Sequence, residues 1–132
     1  MRSQQLCREL MEAHPSVPEY RSLYASTLAR IAGMQLVQGK TERAEATLKE
    51  TLTYYEQLAD QFPDVLMYQF AMARTLQQLA QVYVDDKRTD LAKESLDTAI
   101  TRLEVLARGS RVRGPVVVLL NRLRESRSKL GD

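Results

Sequence analysis

Tryptophan is absent from this 132-residue chain, cysteine and histidine occur once each, and glycine and proline are few, at five and four. Each scarcity excludes something. A lone cysteine, Cys7, can close no intrachain disulfide and build no cysteine zinc cluster. A lone histidine, His14, lacks the partners that metal binding or a catalytic relay requires. Most of the glycines and prolines fall between periodic runs, so long stretches carry nothing that would interrupt a helix. No apolar run approaches the ~20 residues that cross a bilayer as a helix. The N-terminus has no apolar signal-peptide core, and the cytoplasm is the expected compartment. Glycine-rich phosphate loops and a Gly-x-Ser-x-Gly elbow are also missing. Asp85-Asp86 runs straight into Lys87-Arg88, which reads as a self-compensated turn and not as a cation site. The expectation is a protein that is not an enzyme and needs no cofactor or metal.

What remains is the material of a folded domain. Hydrophobic residues make up 44% of the chain, enough to argue against wholesale disorder. The formal net charge is +2, unevenly placed. From Arg108 onward there are seven basic and two acidic residues, a surplus of +5; the remainder has 12 basic and 15 acidic residues, or −3. An acidic body with a basic tail results.

Apolar positions recur at helical spacing along the whole chain. A short helix is expected over Arg2–Ala13, stopped at His14-Pro15 because the residue before proline is pushed out of the helical region. Longer helices are expected over Glu19–Val37, Glu42–Gln61, Leu66–Asp85 and from Thr89 to about Ala107. Tyr20, Leu23, Leu28, Ile31, Leu36 and Val37 mark the apolar face of the first of these. Gly39 suits the residue just past a helix end, and Thr41 and Thr89 suit N-caps. Gly109, Ser110 and Gly114 read as a basic linker, and Pro115 as the opening of a last helix. The run Val116–Leu120 has strand propensity, but no other strand exists for it to pair with.

The chain repeats itself. Residues 15–62 align without a gap on 63–110, and 14 of the 48 positions are identical. Apolar identities alone would say little, since any two amphipathic helices share them. Pro15 with Pro63, Tyr20 with Tyr68 and Thr41 with Thr89 are more telling. A fixed period of this size is the signature of stacked helical hairpins. Four segments follow: a half-repeat helix over 1–14, repeats over 15–62 and 63–110, and a basic closing helix over 111–132. The chain thus begins in the second half of a hairpin, which suggests a piece of a longer array.

The residues resemble the tetratricopeptide repeat. The second unit has Leu76, Leu79, Ala80 and Tyr83 followed by Ala92, Leu96 and Ala99; the first has Leu28, Ile31, Ala32 and Gln35 followed by Ala44, Leu48 and Thr51. Small residues, Ala32 with Ala44 and Ala80 with Ala92, would let paired helices approach closely. The period of 48 exceeds the usual ~34 of that family. Long units with a Phe-Pro-x-x-x-x-Tyr junction are similar to arrays found beside bacterial serine/threonine kinase domains. The resemblance implies an all-α fold, a right-handed superhelix of antiparallel hairpins with about six helices. It also implies a scaffold that holds a protein or peptide in a groove lined by the first helix of each repeat. Carried over by position, the groove candidates are Arg30, Gly33, Arg74, Gln77, Gln78 and Gln81.

Two other readings stand beside this one. Self-association through Leu6, Leu10, Val117 and Leu120 would make a second copy the partner. Nucleic acid could meet Arg111, Arg113, Arg122, Arg124 and Arg127, but no aromatic residue follows Tyr83 to stack on a base.

Overall fold

The structure is a computed structural model that describes residues 2–109 and 113–131. Among these residues there are six helices and no strand: α1 (Arg2–Ala13), α2 (Pro18–Val37), α3 (Thr41–Gln61), α4 (Leu66–Asp85), α5 (Thr89–Gly109) and α6 (Arg113–Ser128). The all-α expectation holds, and the Val116–Leu120 run is helical. Gly109 ends α5 and Gly114 lies inside α6, so neither belongs to a linker; Ser110 and Arg111 lie outside the described residues.

Contacts divide the chain into two compact units, Met1–Tyr68 and Gln69–Asp132, with the division inside α4. In the first unit α2 packs antiparallel on α3. Arg21 near the start of α2 bonds Gln61 at the end of α3 at 2.7 Å, and Gln35 near the end of α2 accepts from Thr47 at 2.8 Å. The seam is made of Tyr24, Ala25, Leu28 and Ala32 from α2 and Ala44, Leu48, Thr51 and Leu58 from α3, all buried. Each fully buried leucine contributes about 1.5–3 kcal/mol relative to exposure. Thr27 and Thr51 are buried polar residues whose hydroxyls donate to the carbonyls of Leu23 and Thr47, one turn back, so no donor is stranded. Helix α1 also packs on α2, with the Cys7 thiol 3.7 Å from the Thr27 hydroxyl.

In the second unit Met72, Ala73, Leu76, Leu79, Ala80 and Val82 of α4 are buried, as are Ala92, Leu96, Ala99 and Leu103 of α5. Helix α6 runs antiparallel to α5 and buries Val116, Leu120 and Leu123. Arg124 reaches Glu104 and Arg127 reaches Asp97, both at 2.8 Å.

The 48-residue repeat reappears in backbone geometry. At the end of α2, Gly39 N–H bonds Leu36 C=O at 3.0 Å and Lys40 N–H bonds Gln35 C=O at 2.8 Å. At the end of α4, Lys87 N–H bonds Val84 C=O and Arg88 N–H bonds Tyr83 C=O at the same two distances. This paired closure satisfies the last helical carbonyls and requires a left-handed residue just past the helix. Gly39 takes φ 75° there and Lys87 takes φ 61°. The interhelix junctions match as well. His14 N–H bonds Leu10 C=O and Val17 N–H bonds His14 C=O, as Phe62 bonds Leu58 and Val65 bonds Phe62. The His14 and Tyr20 rings lie 5.4 Å apart, in the place taken by Phe62 and Tyr68 at 6.3 Å.

Several expectations need correction. Thr41 is not an N-cap: it is the first helical residue, the cap position is Lys40, and no side chain bonds the helix start. The carbonyl of Lys40 already accepts from Ala44 N–H, as that of Arg88 does from Ala92 N–H, so each threonine is the first helical residue and Thr89 is likewise no cap. Leu36 and Val37 are not on a buried face, since the α2 seam turns away from them and leaves them 38% and 90% exposed. Leu23 is 43% exposed. Leu120 is no free contact for a second copy, because α5 buries it to 4%. Tyr54 is half-buried and meets Tyr24 edge-on at 5.4 Å.

Candidate functional site

Six side chains were singled out by position on the first helices of the repeats, α2 and α4. Arg30 is exposed on α2 and has no ion-pair partner among the described residues. Gly33, one turn on, is half-buried. Both line a pocket of about 650 Å³ inside the first unit, together with Ser3 of α1 and Thr27, Ile31, Met34, Val37 and Gln38 of α2. The antiparallel lie of α1 on α2 forms this pocket, because it sets Ser3 against the C-terminal half of α2. The walls are mostly apolar, and among the described residues they carry one charge, that of Arg30.

In the second unit Gln77 and Gln81 line a smaller pocket of about 220 Å³ with Ala80, Val84, Leu96, Ser126, Lys129 and Leu130. Gln81 donates to Asp85 at 2.9 Å, one turn further along α4, which holds its amide on the helix surface. Arg74 and Gln78 are exposed and line neither of these pockets. The structure therefore brings Arg30 together with Gly33, and Gln77 together with Gln81.

Sequence reasoning missed Met34, Val37 and Ser3 as pocket residues. Val37 reads as core by spacing, and nothing in a periodic pattern says that a neighbouring helix leaves part of the face bare. One signal was legible: a glycine in mid-helix at Gly33, where the second repeat has Gln81. A β-carbon added at Gly33 would meet nothing within 4 Å, so no neighbour in the chain requires the small residue.

Burial raises the Tyr54 hydroxyl above its ordinary value, with the Glu50 carboxylate adding to the effect, and burial also raises Tyr68. The ion pair with Glu12 raises Arg8. Neither tyrosine lines either pocket. Among the described residues no group of three His, Cys, Asp or Glu could hold a metal ion, and no helix is long and apolar enough to cross a membrane. Asp85 accepts from Gln81 and Asp86 pairs with Arg88 at 2.8 Å, so both turn carboxylates have neighbours.

The arginines of α6 are partly committed. Arg124 and Arg127 are held by Glu104 and Asp97, which removes two of the five cations considered for phosphate binding. Arg122 is exposed; Arg111 and the side chain of Arg113 lie outside the described residues.

Comparison with protein-family models, with curated proteins and with solved structures gives no match to this chain.

Proposed function

We propose that this chain is a non-catalytic scaffold that binds a protein or peptide through its first repeat helices, α2 and α4. In this reading its hairpins stack as a long-period, tetratricopeptide-like solenoid. The observation that carries the proposal is the pairing of repeated geometry with unspent surface. Two turns 48 residues apart close with the same two backbone hydrogen bonds, which supports a true structural repeat. On the first helix of each repeat, polar side chains then stand at mostly apolar pockets: Arg30 in one, Gln77 and Gln81 in the other. Pockets with apolar walls and a few oriented polar groups suit recognition of a peptide, with apolar anchors supplying affinity and amides bonding the backbone. The ion pairs of Arg124 and Arg127 weigh against nucleic acid as the partner, since each phosphate contact there would first have to break a salt bridge.

The test is affinity capture from lysate of the source cells, with the intact chain beside an Arg30→Glu/Arg74→Glu/Gln77→Ala variant. Arg30 and Arg74 are exposed and Gln77 is half-buried, so the variant is expected to melt like the parent. A protein retained by the parent and released by the variant supports the scaffold. Equal retention by both overturns the assignment of the binding surface to α2 and α4. Retention of nothing overturns the scaffold itself.

A further inference from the structure

We infer that the outer face of α1 and α2 is a receptor for one helix of a partner. That helix is amphipathic, runs antiparallel to α1, and carries a carboxylate in its C-terminal half. The inference rests on the scaffold reading and deepens it by naming the kind of partner one surface takes.

The repeat supplies the template. Shifted by 48 residues, Ser3, Leu6 and Leu10 of α1 fall on Thr51, Tyr54 and Leu58 of α3. Those three are where α3 receives α2: Thr51 and Leu58 are fully buried, and Tyr54 packs edge-on against Tyr24. The corresponding stripe on α1 is bare, with Leu6 53% and Leu10 40% exposed. The same contrast holds on α2, where Met34 is 44% exposed while its repeat equivalent, Val82, is 2% exposed. An interface already made inside this chain therefore defines what covers the bare one. It is a helix with large and small apolar residues one turn apart, like Tyr24, Leu28 and Ala32.

Charge selects among such helices. A helix antiparallel to α1 runs parallel to α2, so its C-terminal half lies along the pocket that holds Arg30. Among the described residues Arg30 is the one charged side chain on that wall, and it has no ion-pair partner. A carboxylate there gains an ion pair, and the negative end of the incoming helix dipole favours the same arrangement. This disfavours a second copy docking through α6, whose exposed side includes Arg122 and Arg124. Gly33 agrees with the assignment. Glycine weakens a helix interior and no neighbour needs it here, so the space it leaves is free for an incoming side chain.

The experiment uses the full chain and a fluorescein-labelled peptide with the sequence of residues 18–33, as the free C-terminal acid and as the amide. Three test variants and one control accompany the parent. Arg30→Gln and Gly33→Gln install the residues found at the equivalent positions of the second repeat, Gln78 and Gln81, and Leu10→Glu charges an exposed site. The parent is expected to bind the acid about two- to fivefold tighter than the amide, a preference that Arg30→Gln removes. Gly33→Gln is expected to weaken both forms without lowering the melting temperature. Leu10→Glu is expected to weaken both by about tenfold or more, because it puts a charge in the apolar seam. Glu94→Gln, at an exposed site on α5 in the second unit, is expected to change nothing. No binding by the parent, or equal binding by the parent and Leu10→Glu, overturns the inference. So does sedimentation of the chain alone as a dimer that Leu10→Glu dissociates, which would place a second copy on this face. If the peptide fails while capture in lysate still depends on Arg74 and Gln77, the scaffold stands and only this surface is wrongly assigned.

Discussion

Gly39 and Lys87 hold the same place in two helix-ending turns and reach it with different ease. Both are left-handed, at φ 75° and 61°, and both turns carry the same pair of hydrogen bonds. Glycine has no β-carbon to clash with the following carbonyl, whereas an L side chain there costs roughly 1 kcal/mol. The second turn persists because the rest of the hairpin determines it, aided by the guanidinium of Arg88 lying 4.8 Å from the Tyr83 ring centroid. Lys87→Gly is therefore expected to raise unfolding stability by about 0.5–1 kcal/mol, read as a shifted urea midpoint with unchanged slope. An unchanged midpoint would mean that the turn is not strained. At this scale the sequence was partly legible. Gly39 announces its turn by residue type, but Lys87 is visible only through the repeat. Thr41 misled, because a threonine beside a helix start looks like a cap whether or not its hydroxyl reaches a backbone donor.

At the scale of the element, helix existence and extent were legible because amphipathic spacing and punctuation agree. Pro15 and Pro63 separate helices where the residue before proline cannot stay helical, and the four helix ends around them lie within one residue of expectation. Which part of each face is covered was not legible. Spacing puts Leu36 and Val37 on a core face; only the packing of α1 and α3 on α2 decides that they are left in the open. The same limit applied to the site. Position on the first helices singled out Arg30 and Gly33, and Gln77 with Gln81, but could not say that Arg74 and Gln78 line neither pocket. The small residues at the seams were legible, since Ala32, Ala44, Ala80 and Ala92 are all buried. Tryptophan at Ala44 or Ala92 is expected to destabilise the fold by about 1–3 kcal/mol or more through overpacking. Thermal melts that match the parent for both would show that these helices do not approach at their alanines.

At the scale of the whole chain, the two units share one plan and differ in what they leave uncovered. In the second unit α6 buries Val116, Leu120 and Leu123 and leaves Val117, Val118, Arg122 and Arg124 exposed. In the first unit Leu6, Leu10, Met34 and Val37 are exposed around α1 and α2. The account rests on these residues being held for recognition and not for folding. Residues equivalent by the repeat should then differ in their contribution to stability.

Unfolding free energies of Leu58→Ala and Leu10→Ala test this directly. Leu58 is fully buried, and its truncation is expected to cost about 2–5 kcal/mol. Leu10, its equivalent 48 residues earlier, is 40% exposed, and its truncation is expected to cost less than about 1 kcal/mol. A Leu10→Ala cost equal to that of Leu58→Ala would contradict the account, because it would show that the folded chain already covers the face assigned to a partner.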